Sequence, residues 1–172
     1  MTTIESLNLA DRAEFVRALG HLFEHSPWVA DQTWDRRPFQ DVAHLHRELC
    51  ATMYRAPVDQ QRALIEAHPD LAGRLALAGK LTAESTREQA SAGLDRMSTE
   101  AMEAFQKLNT AYRDRFGFPF IICARLNARD AILQAMRSRI HHSPTEEHMA
   151  ALVEIEKIAE LRLQDVLTRS AN

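Results

Sequence analysis

The stretch STEAMEAFQKLNTAYRDRFG, residues 98–117, contains the start, the middle and the end of one α-helix. Ser98 can cap the first turn, and Gly117 can end the helix in the left-handed conformation that glycine adopts at little cost. Between them, apolar side chains recur at helical spacing, at Ala101, Phe105, Leu108 and Tyr112. The stretch therefore predicts a helix with one face turned towards a core.

Two helices are expected near the N-terminus. The first covers about residues 11–23 and is closed by Ser26-Pro27, because proline cannot continue a helix. Irregular chain should follow as far as Pro38. The second helix carries an apolar stripe formed by Val42, Leu45, Leu49 and Met53.

Shorter helices are predicted between the second helix and the quoted stretch. Asp59 can cap one that runs to about Ala67. Another begins at Thr82 or Ala83, and Gly93 can terminate it in the left-handed conformation.

Two more helices are predicted on the C-terminal side. Asn127 can open the first, which turns Ile132, Met136 and Ile140 inward. The last begins at Ser143-Pro144-Thr145-Glu146, which places a hydroxyl at the cap, proline in the first turn and a glutamate three residues after the serine.

These patterns predict an all-α fold for the whole chain. Five glycines leave few places for hairpin turns, and 45% hydrophobic residues in a chain of 172 are enough for one packed core. We expect a compact single domain over residues 1–172, built from about seven to nine helices.

One apolar segment does not fit the helical pattern. Phe118-Pro119-Phe120-Ile121-Ile122-Cys123 is rich in residues that favour extended backbone and follows Gly117 directly. We expect it to be short, extended and buried. Buried backbone outside a helix must find hydrogen-bond partners elsewhere, so the segment either only packs in the core or also contacts a bound polar ligand.

Composition excludes several classes of protein. The formal net charge is −3 with neither sign gathered into a block, so nucleic acid is not an expected partner. The start Met-Thr-Thr-Ile-Glu resembles no leader, and no apolar run approaches the ~20 residues of a membrane span. Cys50 and Cys123 are too few for a disulfide scaffold. We therefore expect a cytoplasmic protein that does not insert into membranes.

His68 is the first candidate for chemistry. It lies at the end of a predicted helix, and Pro69 fixes the direction in which the chain leaves. Histidine suits proton transfer near neutral pH because its ordinary pKa is about 6.5. The alternative is that it only interacts with the last carbonyls of the helix.

Three polar residues share one face of the helix that begins near residue 82. Ser85, Glu88 and Gln89 are spaced i, i+3 and i+4, so a hydroxyl, a carboxylate and an amide lie together. Such a face can bind a small ligand rich in N–H and C=O groups. It can equally be an ordinary solvated face.

Arg162 interrupts the apolar stripe of the last helix. It follows Ile155 and Ile158 at helical spacing, which turns its guanidinium towards the core side, where it could hold a substrate carboxylate. Asp165, three residues on, could instead pair with it on the surface.

The histidine-rich stretches do not predict a metal site. His44 and His46 would lie about 200° apart around a helix, and His141, His142 and His148 have no companion Cys, Asp or Glu residues at a recognised ligand spacing.

Several separated motifs occur in a fixed order along the chain: Ser26-Pro27-Trp28-Val29-Ala30, His68-Pro69-Asp70-Leu71, Ser85-Thr86-Arg87-Glu88-Gln89-Ala90 with Gly93-Leu94, and Phe116-Gly117-Phe118-Pro119-Phe120-Ile121. Together with the segment from Glu154 to Leu163, they resemble the 2-oxo-4-hydroxy-4-carboxy-5-ureidoimidazoline (OHCU) decarboxylase family over nearly the whole chain.

The resemblance implies a helical homodimeric lyase that needs no metal or organic cofactor and yields (S)-allantoin in urate degradation. It assigns proton transfer to His68 and the acidic partner to Glu88. Side-chain contacts with the substrate fall on Ser85, Gln89 and Arg162. The remaining contacts fall on Pro69 and on the backbone of Phe120, Ile121 and Ile122. Some relatives end in a peroxisomal signal like Ser-Lys-Leu, whereas this chain ends in Arg169-Ser170-Ala171-Asn172.

Two other functional classes fit the residues alone. One is an all-α ureide-binding or regulatory domain without catalysis, which would normally accompany a DNA-reading or signalling module. The other is a purely structural helical dimer, which would leave the Ser85, Glu88 and Gln89 face and Arg162 unexplained.

Overall fold

In a computed structural model of the protein, residues 2–73, 76 and 78–169 are described, without the side chain of Arg169. These residues contain nine α-helices and no strand, which confirms the all-α prediction. The helices are α1 (Ile4–Leu9), α2 (Arg12–Leu19), α3 (Trp28–Thr33), α4 (Val42–Arg55), α5 (Val58–Glu66), α6 (Ala83–Ser91), α7 (Thr99–Phe116), α8 (Arg129–Arg139) and α9 (Pro144–Arg169). Short 3₁₀ turns cover Trp34–Arg36 and Ala124–Leu126. In the described part of the chain, no helix is long and apolar enough to cross a membrane.

The chain divides into two compact units. Unit 1 consists of Met1–Ala67 and Glu156–Asn172, and unit 2 is His68–Ile155. Unit 1 holds α1 to α5 with the C-terminal part of α9, and unit 2 holds α6 to α8 with the N-terminal part of α9.

Unit 1 is organised around α3, which contacts both α2 and α4. Asp11 caps α2 by accepting a hydrogen bond from the backbone N–H of Glu14 at 2.8 Å, and the Glu14 side chain returns one to the backbone of Asp11. The buried core of this unit is aliphatic and aromatic, and includes Phe15, Leu19, Leu22, Phe23, Leu45, Leu49, Met53, Leu64 and Ile65.

Three local predictions for unit 1 were wrong. The helix expected over residues 11–23 ends at Leu19, although Leu22 and Phe23 are buried as expected. The chain expected to be irregular up to Pro38 instead forms α3 and a 3₁₀ turn, because Pro27 is compatible with a helix start. Asp59 does not cap α5, which begins at Val58 directly after Pro57.

Most helix starts and ends predicted for unit 2 are confirmed. Ser98 caps α7 by accepting a hydrogen bond from the backbone N–H of Ala101 at 3.2 Å. Gly93 and Gly117 adopt φ values of 76° and 75°, so both helices end in the left-handed conformation as predicted. Ser143 and Glu146 exchange the predicted capping hydrogen bonds at the start of α9. Asn127 was the wrong choice for the start of α8, because the N-cap is Ala128.

The apolar segment after Gly117 is buried and lies outside any helix, as expected. Residues 118–124 are all buried, and residues 118–123 form neither helix nor strand. Its aromatic rings pack with those of α7: the ring centroids of Tyr112 and Phe120 are 5.4 Å apart at an interplanar angle of 90°. The segment therefore belongs to the core of unit 2.

Candidate active site

His68 is the first residue of unit 2, two positions after the end of α5. It is 7% exposed, and Pro69 beside it is half-buried. The Nε2 atom of the ring is buried and makes no hydrogen bond, although the residue as a whole has other interactions. The imidazole is therefore buried just after the end of α5.

The three residues after His68-Pro69 are each held by a side chain from another helix. Arg113 in α7 binds the carboxylate of Asp70 at 2.8 and 3.1 Å. Asn109, also in α7, donates from Nδ2 to the carbonyl of Leu71 at 2.9 Å, and the N–H of Ala72 donates to Oε1 of Gln89 in α6 at 3.0 Å. The backbone after His68 is therefore fixed by α6 and α7.

The polar face of α6 is turned inward. Ser85 and Gln89 are 5% and 6% exposed, and Glu88 is half-buried, so an ordinary solvated face was the wrong interpretation. This helix begins at Ala83, one of the two predicted starts, and Thr82 caps it by accepting a hydrogen bond from the backbone N–H of Ser85 at 3.2 Å.

Charged side chains form hydrogen bonds with part of the backbone of residues 118–124. The carbonyl of Ile121 accepts a hydrogen bond from Nη1 of Arg139 at 2.8 Å, and the N–H of Cys123 donates to Oε2 of Glu154 at 2.9 Å. The backbone groups of Phe120 and Ile122 make no hydrogen bond to any residue that the structure describes. Buried backbone groups are nearly always paired in folded proteins, so these two residues offer sites to a ligand.

Unit 2 brings the candidate residues of three segments together. Gln89 joins α6 to the loop after His68, and α6 also contacts the 3₁₀ turn Ala124–Leu126. Burial raises the pKa of the Cys123 thiol, and the carboxylates of Glu154 and Glu88 raise it further, so the charge of Glu88 lies near this segment. An imidazole, a carboxylate, a hydroxyl, an amide and buried backbone groups are thereby concentrated in one compact unit.

Arg162 lies in unit 1, within α9. It is 3% exposed, as its place on the apolar stripe predicts. Its Nη1 donates to Oε2 of Glu24 at 3.0 Å, and more distantly to the carbonyls of His21 and Leu22, both at 3.4 Å. Arg162 therefore forms a buried ion pair with Glu24, whose side chain is 2% exposed.

Comparison with known proteins decides the family. Residues 8–164 match the model of the OHCU decarboxylase family. The chain belongs to this family.

Known OHCU decarboxylases align with this chain over nearly its full length. The 2-oxo-4-hydroxy-4-carboxy-5-ureidoimidazoline decarboxylase of Halalkalicoccus jeotgali is 45% identical over 164 residues, covering 95% of this chain and 91% of that protein. The protein of the same name from Haloferax volcanii is 42% identical over 163 residues, covering 95% of each. The solved structure of an (S)-allantoin synthase superposes with a TM-score of 0.78 at 30% identity. That match covers 96% of this chain and 54% of the solved chain, so the chain spans about half of its length.

The sequence analysis of this member of the OHCU decarboxylase family did not single out four polar residues that lie near these segments. Asn109 is 7% exposed, and its Oδ1 is a buried atom that makes no hydrogen bond. It lies four residues after Phe105 and three before Tyr112 on the buried face of α7, a spacing that could have revealed it. Glu147 likewise lies four residues before buried Ala151 in α9. Arg139 and Glu154 show the same kind of spacing. Arg139 lies seven residues after Ile132 and three after Met136, and Glu154 lies three residues after Ala151 and four before Ile158, all of them buried.

The described residues contain no group of three or more His, Cys, Asp or Glu side chains arranged to hold a metal ion.

Proposed function

We propose that this chain decarboxylates 2-oxo-4-hydroxy-4-carboxy-5-ureidoimidazoline to (S)-allantoin in urate degradation. Membership of the OHCU decarboxylase family supports this function. The structural observation that carries it is the meeting, inside unit 2, of the His68 loop, the polar face of α6 and the buried segment of residues 118–124.

The reaction needs an electron sink, which the substrate itself contains. Its carboxylate sits on a ring carbon that also bears a hydroxyl and lies next to a ring C=N bond. When carbon dioxide leaves, the electron pair of the broken C–C bond forms a C=C bond to the neighbouring carbon. The π pair of the C=N bond moves onto its nitrogen, which takes up a proton, and the ring becomes enol-like. Loss of the hydroxyl proton and protonation of the neighbouring carbon then give the ketone. Protonation of one face yields one enantiomer of allantoin, so no cofactor is required of the protein.

His68 is the proton-transfer residue in this proposal, and Glu88 orients it. It takes the hydroxyl proton of the substrate or delivers a proton to the ring carbon, a role that typically accelerates a reaction 10²–10⁴-fold. Burial of the imidazole supports this assignment because bulk water then competes less for the proton.

The other proposed residues hold the substrate. Ser85 and Gln89 bind its polar groups, and the backbone of Phe120, Ile121 and Ile122 fixes the ring so that one face is open to protonation. Pro69 packs against it, and Arg162 anchors an anionic or carbonyl oxygen. The unfilled hydrogen-bonding groups of Phe120 and Ile122 support this role.

We further propose that residues 1–172 act as one domain, that the protein is a cytoplasmic homodimer, and that it works without metal or organic cofactor. The near-neutral charge and the absence of a long apolar run in the sequence support a protein that binds neither nucleic acid nor membrane.

An optical assay tests the function directly. Enzymatic oxidation of urate supplies the unstable ureidoimidazoline in situ, and circular dichroism follows the appearance of optically active allantoin. The wild-type protein should produce (S)-allantoin faster than the spontaneous racemic background. His68→Asn should remain folded and lose this activity, whereas His141→Asn, at an exposed histidine, should retain it.

Two results would contradict the proposal. Wild-type protein that binds the ureide without accelerating its conversion would identify a binding domain instead. Near-normal stereospecific turnover by His68→Asn would remove the proton-transfer assignment.

A further inference from the structure

A fully buried carboxylate lies at the centre of a polar network in unit 2. Glu147 is 0% exposed, and both of its oxygens lie near Nε of Arg139, at 3.0 and 3.3 Å. The hydroxyl of Tyr112 donates to Oε1, and Nδ1 of His142 lies 2.8 Å from Oε2. A buried carboxylate is costly unless it is paired and hydrogen-bonded, and this network provides both.

Arg139 connects this network to the segment of residues 118–124. While Nε faces Glu147, Nη1 donates to the carbonyl of Ile121 at 2.8 Å. The guanidinium carbon also lies 4.4 Å from the centroid of the Phe120 ring, within the range of a cation–π contact. One side chain, 13% exposed, therefore fixes two consecutive residues of the segment.

The shape of the guanidinium explains why arginine occupies this position. Its planar fork can bind a carboxylate along one edge and a carbonyl along another while its face covers an aromatic ring. A lysine ammonium could keep the charge next to Glu147 but could not make all three contacts at once.

We propose that Arg139, anchored by Glu147, is a positioning residue that holds the backbone of Phe120 to Ile122 ready for the substrate. The inference rests on the proposed function, which places substrate contacts on these residues. The segment has no helix or strand to hold it, so its geometry depends on such side chains. With Arg139 in place, the ring of the substrate meets a preformed surface and exposes one face.

Arg139→Lys tests the proposal. The charge next to Glu147 is kept, so the variant should fold, but the hydrogen bond to Ile121 and the contact with Phe120 are lost. The KM should rise about 10-fold, as expected for the loss of a positioned hydrogen bond. The allantoin formed should have lower enantiomeric purity, and the amides of residues 118–124 should exchange hydrogen faster while those of α7 do not.

Arg37→Lys is a matched control in unit 1. Arg37 donates from Nη1 to the carbonyls of Asn8 and Ala10, at 3.0 and 2.7 Å, and its guanidinium carbon lies 3.8 Å from the Trp34 ring centroid. It thus makes two of the three kinds of contact that Arg139 makes, with backbone carbonyls and with an aromatic ring, and has no proposed role at the site. Its loss should lower stability while KM and enantiomeric purity stay at wild-type values.

If Arg139→Lys does not fold, the double variant Arg139→Met with Glu147→Gln removes both buried charges and should show the same changes. A folded variant with the same KM, enantiomeric purity and amide exchange as the wild-type protein would overturn the proposal. If the wild-type protein itself made no allantoin, the proposed function would fail, and amide exchange in residues 118–124 would still decide the positioning role.

Discussion

In unit 1, the surroundings of Cys50 change the pKa of its thiol. Burial raises its pKa from 9.0 to about 12, and the carboxylates of Glu156 and Glu160 add to the effect. Between pH 9 and pH 12, the unfolded chain therefore loses this proton while the folded protein keeps it. The contribution of Cys50 to stability is complete below pH 9 and declines as the pH rises to 12.

This difference predicts how stability depends on pH. Over that range the group should cost about 1.4 kcal/mol of unfolding free energy for each pH unit. Urea unfolding of wild type and Cys50→Ala at a series of alkaline pH values measures the difference. The decline should be steeper for wild type by about that amount, and parallel slopes for the two proteins would show that burial does not hold the proton.

At the scale of single residues, the sequence predicted burial better than partners. The apolar stripe of α9 turns Arg162 inward, and Arg162 is buried. Its partner Glu24 lies 138 residues away in the chain, and no local spacing connects the two. The same reason hid the partner of Arg139, because its contact with Ile121 depends on how α8 packs within unit 2.

At the scale of elements, α7 does more than complete a core. Asn109 and Arg113, one turn apart, hold Leu71 and Asp70 in the loop that follows His68. The next residue, Ala72, adopts a φ of 50°. This left-handed conformation is unfavourable for residues other than glycine, so surrounding contacts must stabilise it. The loop geometry therefore depends on these side-chain anchors.

Replacing Asn109 should accordingly affect turnover. Asn109→Ala removes the hydrogen bond to Leu71, so the imidazole of His68 should be less well placed and kcat should fall about 10-fold in protein that is still folded. Asn8→Ala is the control, because Asn8 in unit 1 also donates from Nδ2 to a backbone carbonyl, that of Phe39 at 2.9 Å, and its Oδ1 accepts a second hydrogen bond from the Phe39 N–H at 2.8 Å.

Steady-state kinetics and thermal unfolding of both variants give the comparison. Both should lose some stability, and only Asn109→Ala should lose kcat. Equal kcat values for the two variants would mean that the Asn109 contact serves folding alone.

Local capping chemistry explains which elements were predictable. Ser98, Gly117 and the Ser143 to Glu146 box act within a few residues, and all three hold in the structure. Proline is harder to interpret, because it stops one helix yet suits the first turn of the next. That ambiguity accounts for the missed α3 after Pro27 and for the wrong start of α5.

At the scale of the whole molecule, the all-α fold and the buried segment of residues 118–123 follow from apolar spacing and from the scarcity of glycine. The division into two units does not. One boundary, between Ala67 and His68, lies next to Pro69, but the other, between residues 155 and 156, falls inside α9, where no glycine or proline marks it. The candidate site was predicted from motifs that resemble those of the OHCU decarboxylase family, whereas the partners of its supporting residues became visible only in the folded protein.

The central claim is that the His68 loop, the polar face of α6 and the backbone of residues 120–122 form one substrate site. A crystal structure of the protein with bound (S)-allantoin tests it most directly. The account predicts allantoin within hydrogen-bonding distance of the His68 imidazole, of Ser85 or Gln89, and of a backbone group of Phe120 or Ile122. Allantoin bound with none of these groups in contact would contradict it.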